Sequence, residues 1–266
     1  MRIGHSVIAI VVAFTIISAA NAHEFWLEAS DYAPPPDEDI GLQILIGQRF
    51  SGLPYPYLEN RFFKFESRES GSVNGIDGLD GDDDPATKVS FDNPRLAVIA
   101  YHAKDIDLTY DTMEKFEEFL AKEGLERFLP EHHAANKPTK EIEERYYRAA
   151  KLLLDIGGTG QGEDSFTGMP LELVAERNPY SLGPREALPV RLLQDGAPVA
   201  GVLVKAFPKS DPKNVQRLRT DEAGRVLIDL PVSGPWLFNA VQFFPSKPDD
   251  WVDWVSIWAS MTFERR

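Results

Sequence analysis

The segment from Leu188 to Phe207 reads LPVRLLQDGAPVAGVLVKAF, two apolar runs parted by Asp195-Gly196. Asp-Gly between such runs is a hairpin signal, because both residues tolerate the backbone of a tight two-residue turn. The spacing predicts strands over Leu188 to Leu193 and Val199 to Phe207. Working outward, Thr220 to Arg225 is a second turn leading into a strand over Val226 to Leu230. Gly234-Pro235 punctuates before Trp236 to Phe244, and the last strand runs from Trp254 to Phe263. Short strands with turns at this interval predict an antiparallel, immunoglobulin-like β-sandwich. Its boundary falls between Gly168 and Pro189, and no fixed-period repeat is visible.

The first half is also strand-rich. Strands are expected over His23 to Leu27, Leu42 to Ile46, Arg61 to Glu66 and Lys88 to Phe91. Leu96 to Tyr101 is a continuous apolar run, as expected of a strand buried on both faces, and it ends at His102. Gly52 to Pro56 reads as a loop. Asp80, Asp82 and Asp84 resemble the start of a calcium loop, but Pro85 and Phe91 stand where that loop needs glycine and glutamate, so a solvated turn is expected. Two helices follow. Met113, Phe116 and Leu120 share a face of the first, which Gly124 stops. The second begins at Thr139, with Glu141, Glu143 and Glu144 at its start and Ile142, Tyr146, Ala150 and Leu153 as its stripe. Glu131-His132-His133 lies on the link, where adjacent histidines without supporting ligands do not make a metal site. The glycine-rich run after Gly157 lacks the Gly-Lys-Ser/Thr ending of a phosphate loop. The expected organisation is therefore mainly β, two immunoglobulin-like antiparallel β-sandwich modules: an N-terminal β domain over 23–168 with a helical insertion at about 110–156, then a C-terminal sandwich over 169–266.

Residues 1–22 read as an export signal. Arg2 precedes an apolar run from Val7 to Ile17, and Ala20-Asn21-Ala22 fits the small-x-small cleavage rule. The run is too short for a membrane span, and no later segment is long and apolar enough for one. Cleavage after Ala22 leaves His23 with a free α-amino group. That amine and the ring Nδ1 close a chelate on a cation, and a further imidazole completes a three-nitrogen set suited to Cu(II) or Ni(II).

The 266 residues carry a formal net charge of −14 and no cysteine. The charge argues against nucleic acid or an anionic membrane surface as partner. The lack of cysteine excludes disulfide scaffolds, thiolate metal sites and thiol nucleophiles. No Gly-x-Ser-x-Gly elbow and no zinc-protease histidine pair is present. Trp254 and Trp258 read as core rather than as a sugar platform.

Several stretches together carry a resemblance: His23-Glu24-Phe25-Trp26-Leu27-Glu28, the 80–86 turn, Ala100-Tyr101-His102, the 118–125 helix, 145–151, 168–174, 220–225 and 258–263. They resemble the exported bacterial DUF4198 family associated with nickel or cobalt transport. The resemblance implies a periplasmic protein that binds nickel or cobalt and passes it to a membrane uptake transporter; with a nitrogen donor set that also suits Cu(II), the expected function is non-enzymatic capture of Ni(II), Co(II) or Cu(II). It implies His23 and His102 as metal ligands. Gln242 stands where many members carry a histidine, and its amide oxygen is a poorer donor than imidazole. Glu24 and Gln242 are thus expected in the outer shell. The alternatives are a copper-dependent oxidative enzyme built on the same terminal histidine, and a non-catalytic adhesion module.

Overall fold

The computed structural model describes residues 24–266. The expected export signal over 1–22 and His23 lie outside these residues. In chain order the first half runs β1 (Glu24–Ala29), β2 (Ile40–Gln48), β3 (Ser51–Tyr55), β4 (Phe62–Glu69), β5 (Ser72–Gly75), β6 (Thr87–Val89), β7 (Leu96–Ala103) and β8 (Ile106–Tyr110). Helices α1 (Met113–Glu123) and α2 (Leu129–Ala134) and strand β9 (Ile142–Asp155) complete it. The second half holds β10 (Leu171–Ala175), β11 (Leu188–Gln194), β12 (Ala197–Pro198), β13 (Leu203–Pro208), β14 (Gln216–Arg219), β15 (Arg225–Ile228), β16 (Gly234–Pro245) and β17 (Trp254–Arg265).

These strands form a mainly β, sandwich-type architecture in three layers. A nine-stranded sheet runs β14-β13-β16-β17-β9-β7-β4-β5, with β8 also paired to β9. It takes strands from both halves of the chain, and the seam is the parallel pairing of β17 with β9. The sheet of β1, β2, β3 and β6 packs on one face, burying Phe25, Leu27, Leu42 and Ile44 against Ile99, Tyr101 and Leu152. The sheet of β10, β11, β12 and β15 packs on the other, burying Leu173, Val190 and Leu192 against Val204, Phe238 and Met261. The two sandwiches expected from the sequence thus share their central layer. Beside β1, on the first face, Phe116, Phe119 and Leu120 of α1 cover Val241, Phe243, Trp254 and Trp258.

One expected element changes identity. The stretch read as a helix from Thr139 is β9, 14 residues long and central to the long sheet. Its apolar residues fit a helical stripe because polar side chains lie buried on both faces of the strand. Glu144 and Arg148 point one way and Lys151 the other, which hides the period-two alternation. The Gly52 to Pro56 loop is mostly β3, whose Pro54 suits a strand at the edge of its sheet. Helix α1 forms as expected, capped by Thr112 and closed by Gly124 at φ 70°. His132 and His133 do not share an exposed loop. His132 is buried in α2, receiving Trp254 Nε1–H on Nδ1 at 3.1 Å and lying 2.8 Å from the Pro138 carbonyl through Nε2, whereas His133 is exposed.

Candidate functional site

Registered neighbours across a sheet point to the same face, so the pairing of the long sheet orients every side chain of interest. One row across it reads Lys205, Asn239, Ser260, Ala150, Tyr101, Phe65. Tyr101 and Phe65 pack with Phe25 of β1, so this row faces β1. The adjacent row reads Val204, Ala240, Ala259, Ala149, His102, Lys64 and faces the opposite way. His102 therefore points away from the face that β1 covers. Its ring lies 5.2 Å from Phe63, and its Nε2 has no hydrogen-bond partner. Burial, assisted by Lys64, pulls its pKa below the ordinary histidine value.

Gln242 belongs to that second face too, two residues beyond Ala240 on β16, with its amide nitrogen 3.4 Å from Gln194 Oε1. From β16 to β7 the sheet passes through β17 and β9. Three inter-strand spacings separate Gln242 from His102 by about 14 Å, too far to share an ion. Glu24, on β1, lies over the first face. The structure thus brings together none of the pairs His102–Glu24, His102–Gln242 and Glu24–Gln242. Pairing register, not sequence spacing, decides this, and the sequence alone carried no sign of it.

What does gather at the head of β1 is a set of charged and polar groups of which the sequence expectations contained only Glu24. Glu24 is 4% exposed, and its carboxylate accepts the Arg49 amide at 2.6 Å. Burial raises its pKa, and Lys205 opposes that rise. Lys205 in turn donates to Glu123 Oε2 at 2.6 Å, and both side chains are buried. Glu123 Oε1, Asn239 Oδ1, Ser260 Oγ and Tyr101 OH are all buried on this side of the sheet without a partner. Buried polar atoms are paired as a rule, so a cluster of orphans marks a place that accepts something further.

Along β9 the same face carries Glu144, Tyr146 and Arg148. Arg148 is 7% exposed and forms no ion pair with a carboxylate among the described residues. It donates to Tyr146 OH at 3.2 Å and lies over the rings of Phe25 and Tyr146 at 5.4 and 4.7 Å. Glu144 is fully buried; Tyr110 OH donates to it at 2.6 Å, and Ser256 donates to its other oxygen. A cavity of about 330 Å3 opens beside this array, between α1, the end of β2 and strands β13 and β14, with Glu24 in its wall. No group of three or more His, Asp or Glu side chains able to hold a metal occurs among the described residues.

The fold and this site define a three-layer β protein with a buried polar array under its first strand. The chain belongs to the family described as "Domain of unknown function (DUF4198)", whose model matches residues 20–242. No curated protein matches it. Among solved structures, the D0-D1 domain of Intimin is 13% identical, with 90% of this chain and 97% of that chain covered at a TM-score of 0.20. A similarity at that score carries no argument about fold or function.

Proposed function

We propose that the protein is an exported, non-enzymatic metal-binding protein that captures a divalent transition ion, Ni(II), Co(II) or Cu(II), through the α-amine and Nδ1 of His23. The observation that supports this reading most is the anchoring of Glu24, the residue to which His23 is bonded. Glu24 begins a fully buried stretch of strand and is fixed by the Arg49 amide. A chelate carried on so rigid an element loses little conformational freedom on binding. The donor set is also consistent with such an ion. The terminal residue supplies two nitrogens, and Glu123, whose charge acts on Glu24, has a buried carboxylate oxygen with no partner. Two nitrogens and a carboxylate oxygen suit a late first-row ion. His102 and Gln242 stand apart from this set, because their side chains leave the opposite face of the sheet. Capture outside the inner membrane would serve a membrane uptake transporter.

The test uses mature protein whose intact mass shows that it begins at His23. Ni(II), Co(II) and Cu(II) are titrated into this chain, into one with an alanine added before His23, and into His102→Ala. The added residue turns the amine into a peptide nitrogen and should weaken binding at least about tenfold, whereas His102→Ala should leave it unchanged. Affinity should fall as pH falls, since protons compete for amine and imidazole. An exported chain starting elsewhere, or equal affinities with and without the added alanine, overturns the proposal.

A further inference from the structure

The cavity beside β1 has a charge opposite to that of the molecule. The chain carries −14 overall, yet Arg49, Lys122, Lys205 and Arg217 converge on this one space. Lys205 is matched by Glu123. Arg49, Lys122 and Arg217 form no ion pair with any carboxylate among the described residues. Arg217 spends its guanidinium on the Lys122 carbonyl, at 3.3 Å, which fixes it at the rim. Lys122 is exposed; Lys205 and Arg49 act on its ammonium as like charges, and Glu123 and Glu24 oppose them. Lys115 also lines the space but is held by Asp111. The acids in the wall are Glu118 and Glu24, and Glu24 is already engaged by a backbone amide.

Like charges held together in a half-closed space repel, and low-dielectric walls focus their field on whatever enters. An acidic protein that needed only to close this gap would place some of its many carboxylates opposite these cations. The cations come from different walls: Lys122 from α1, Arg49 from the turn after β2, Lys205 from β13 and Arg217 from β14. Phe119 and Phe207 line the same space. Cations from different walls with apolar surface in the lining fit a short carbon chain that bears an anion at each end. The volume, about 330 Å3, is at the small end of small-molecule sites.

We infer that this cavity is a binding site for a small organic dianion of the dicarboxylate class, held by Arg49, Lys122 and Arg217 with its carbon chain against Phe119 and Phe207. The cavity shares Glu24 and Lys205 with the polar groups at the head of β1, and dicarboxylate binding there does not require a metal.

The experiment is isothermal titration calorimetry on mature protein stripped of metal by chelating resin and dialysis, with succinate and glutarate as probes and butyrate and inorganic phosphate alongside. Saturable binding of a dicarboxylate is expected, weaker for butyrate, weaker for phosphate and weakened by added salt. Arg217→Gln, at an exposed residue, should weaken it about tenfold, the worth of one charge-assisted hydrogen bond, with an unchanged melting curve checking that the fold is kept. Lys122→Gln should do the same, whereas Lys247→Gln, far from the cavity, should change nothing. Absence of dicarboxylate binding, phosphate bound more tightly than either dicarboxylate, or unaltered affinity in Arg217→Gln would overturn the inference. Because metal is absent throughout, none of these results bears on His23.

Discussion

Glu144→Gln is the perturbation whose size follows most directly from the structure. The carboxyl is fully buried under α1, and burial lifts its pKa from 4.5 to about 7. Ser256 and Tyr110 donate to it and restrain the rise, and Trp258 Nε1 braces the Ser256 hydroxyl at 2.9 Å. Below pH 4.5 the group is protonated in both the native and the unfolded chain, and the protein bears no penalty. Between 4.5 and about 7 the unfolded chain ionises while the native one keeps its proton, so stability drains away as pH rises. Above about 7 the loss is complete. At about 1.4 kcal/mol per pKa unit, that interval amounts to roughly 3 kcal/mol. Glutamine imitates the protonated acid and does not titrate. Urea unfolding followed by tryptophan fluorescence should therefore show wild type losing roughly 3 kcal/mol more than the variant between pH about 4.5 and about 8. Parallel pH profiles for the two proteins would refute the reasoning, since they would mean that Glu144 ionises in the native state as easily as in the unfolded one.

His132 should act in the opposite direction. Burial holds its pKa below 6.5, so its contribution to stability is full above that pH and is lost as pH falls toward the native value. The Trp254 indole proton, which depends on neutral His132 Nδ1, should keep its bonded NMR position as pH drops past 6.5; a shift titrating there would contradict this. Lys151 is fully buried between Asp164 at 2.9 Å and Glu172 at 2.5 Å, so Lys151→Met strands two carboxylates and should cost about 3–5 kcal/mol in urea unfolding. Gly47→Ala would drive a Cβ to 2.0 Å from the Ser51 carbonyl oxygen, against backbone that cannot yield, and should destabilise the β2–β3 hairpin by at least about 2 kcal/mol. A wild-type melting curve for this variant would show that the hairpin gives way cheaply.

Most of the strands are legible from sequence because their apolar runs are bounded by turn residues with a mechanical reason to be there. Asp195-Gly196 is such a case, with both residues at positive φ, although the turn pairs β11 only with the short β12 and the expected second strand, β13, crosses to the long sheet. β9 was not legible, for the reason that makes it central: it is covered on both faces, and ionised side chains are buried on each. Periodicity reports one solvated face, and from Arg148 onward β9 has none. The site divides the same way. Glu24, expected beside a metal, heads the first described strand and sits in the buried polar group there. His102 is a residue of the right chemistry at the end of the right strand, but one step of register turns it to the opposite face. Lys122, Arg217 and Arg49 carry no mutual signal in sequence, since only the folding of α1 and β14 over the end of β2 gives them a shared space.

The parallel seam between β9 and β17 has a temporal meaning. β17 ends one residue before the chain does, and it sits between β16 and β9 at the middle of the shared layer. Neither sandwich owns a finished sheet until that last strand arrives, so both must wait for it. Contacts this distant along the chain make for slow assembly and leave sheet edges open in the meantime. A ribosome-bound chain that has not yet emerged through Trp254–Arg265 is thus two unfinished halves, and loss of β17 should unravel the N-terminal sandwich as surely as its own neighbour.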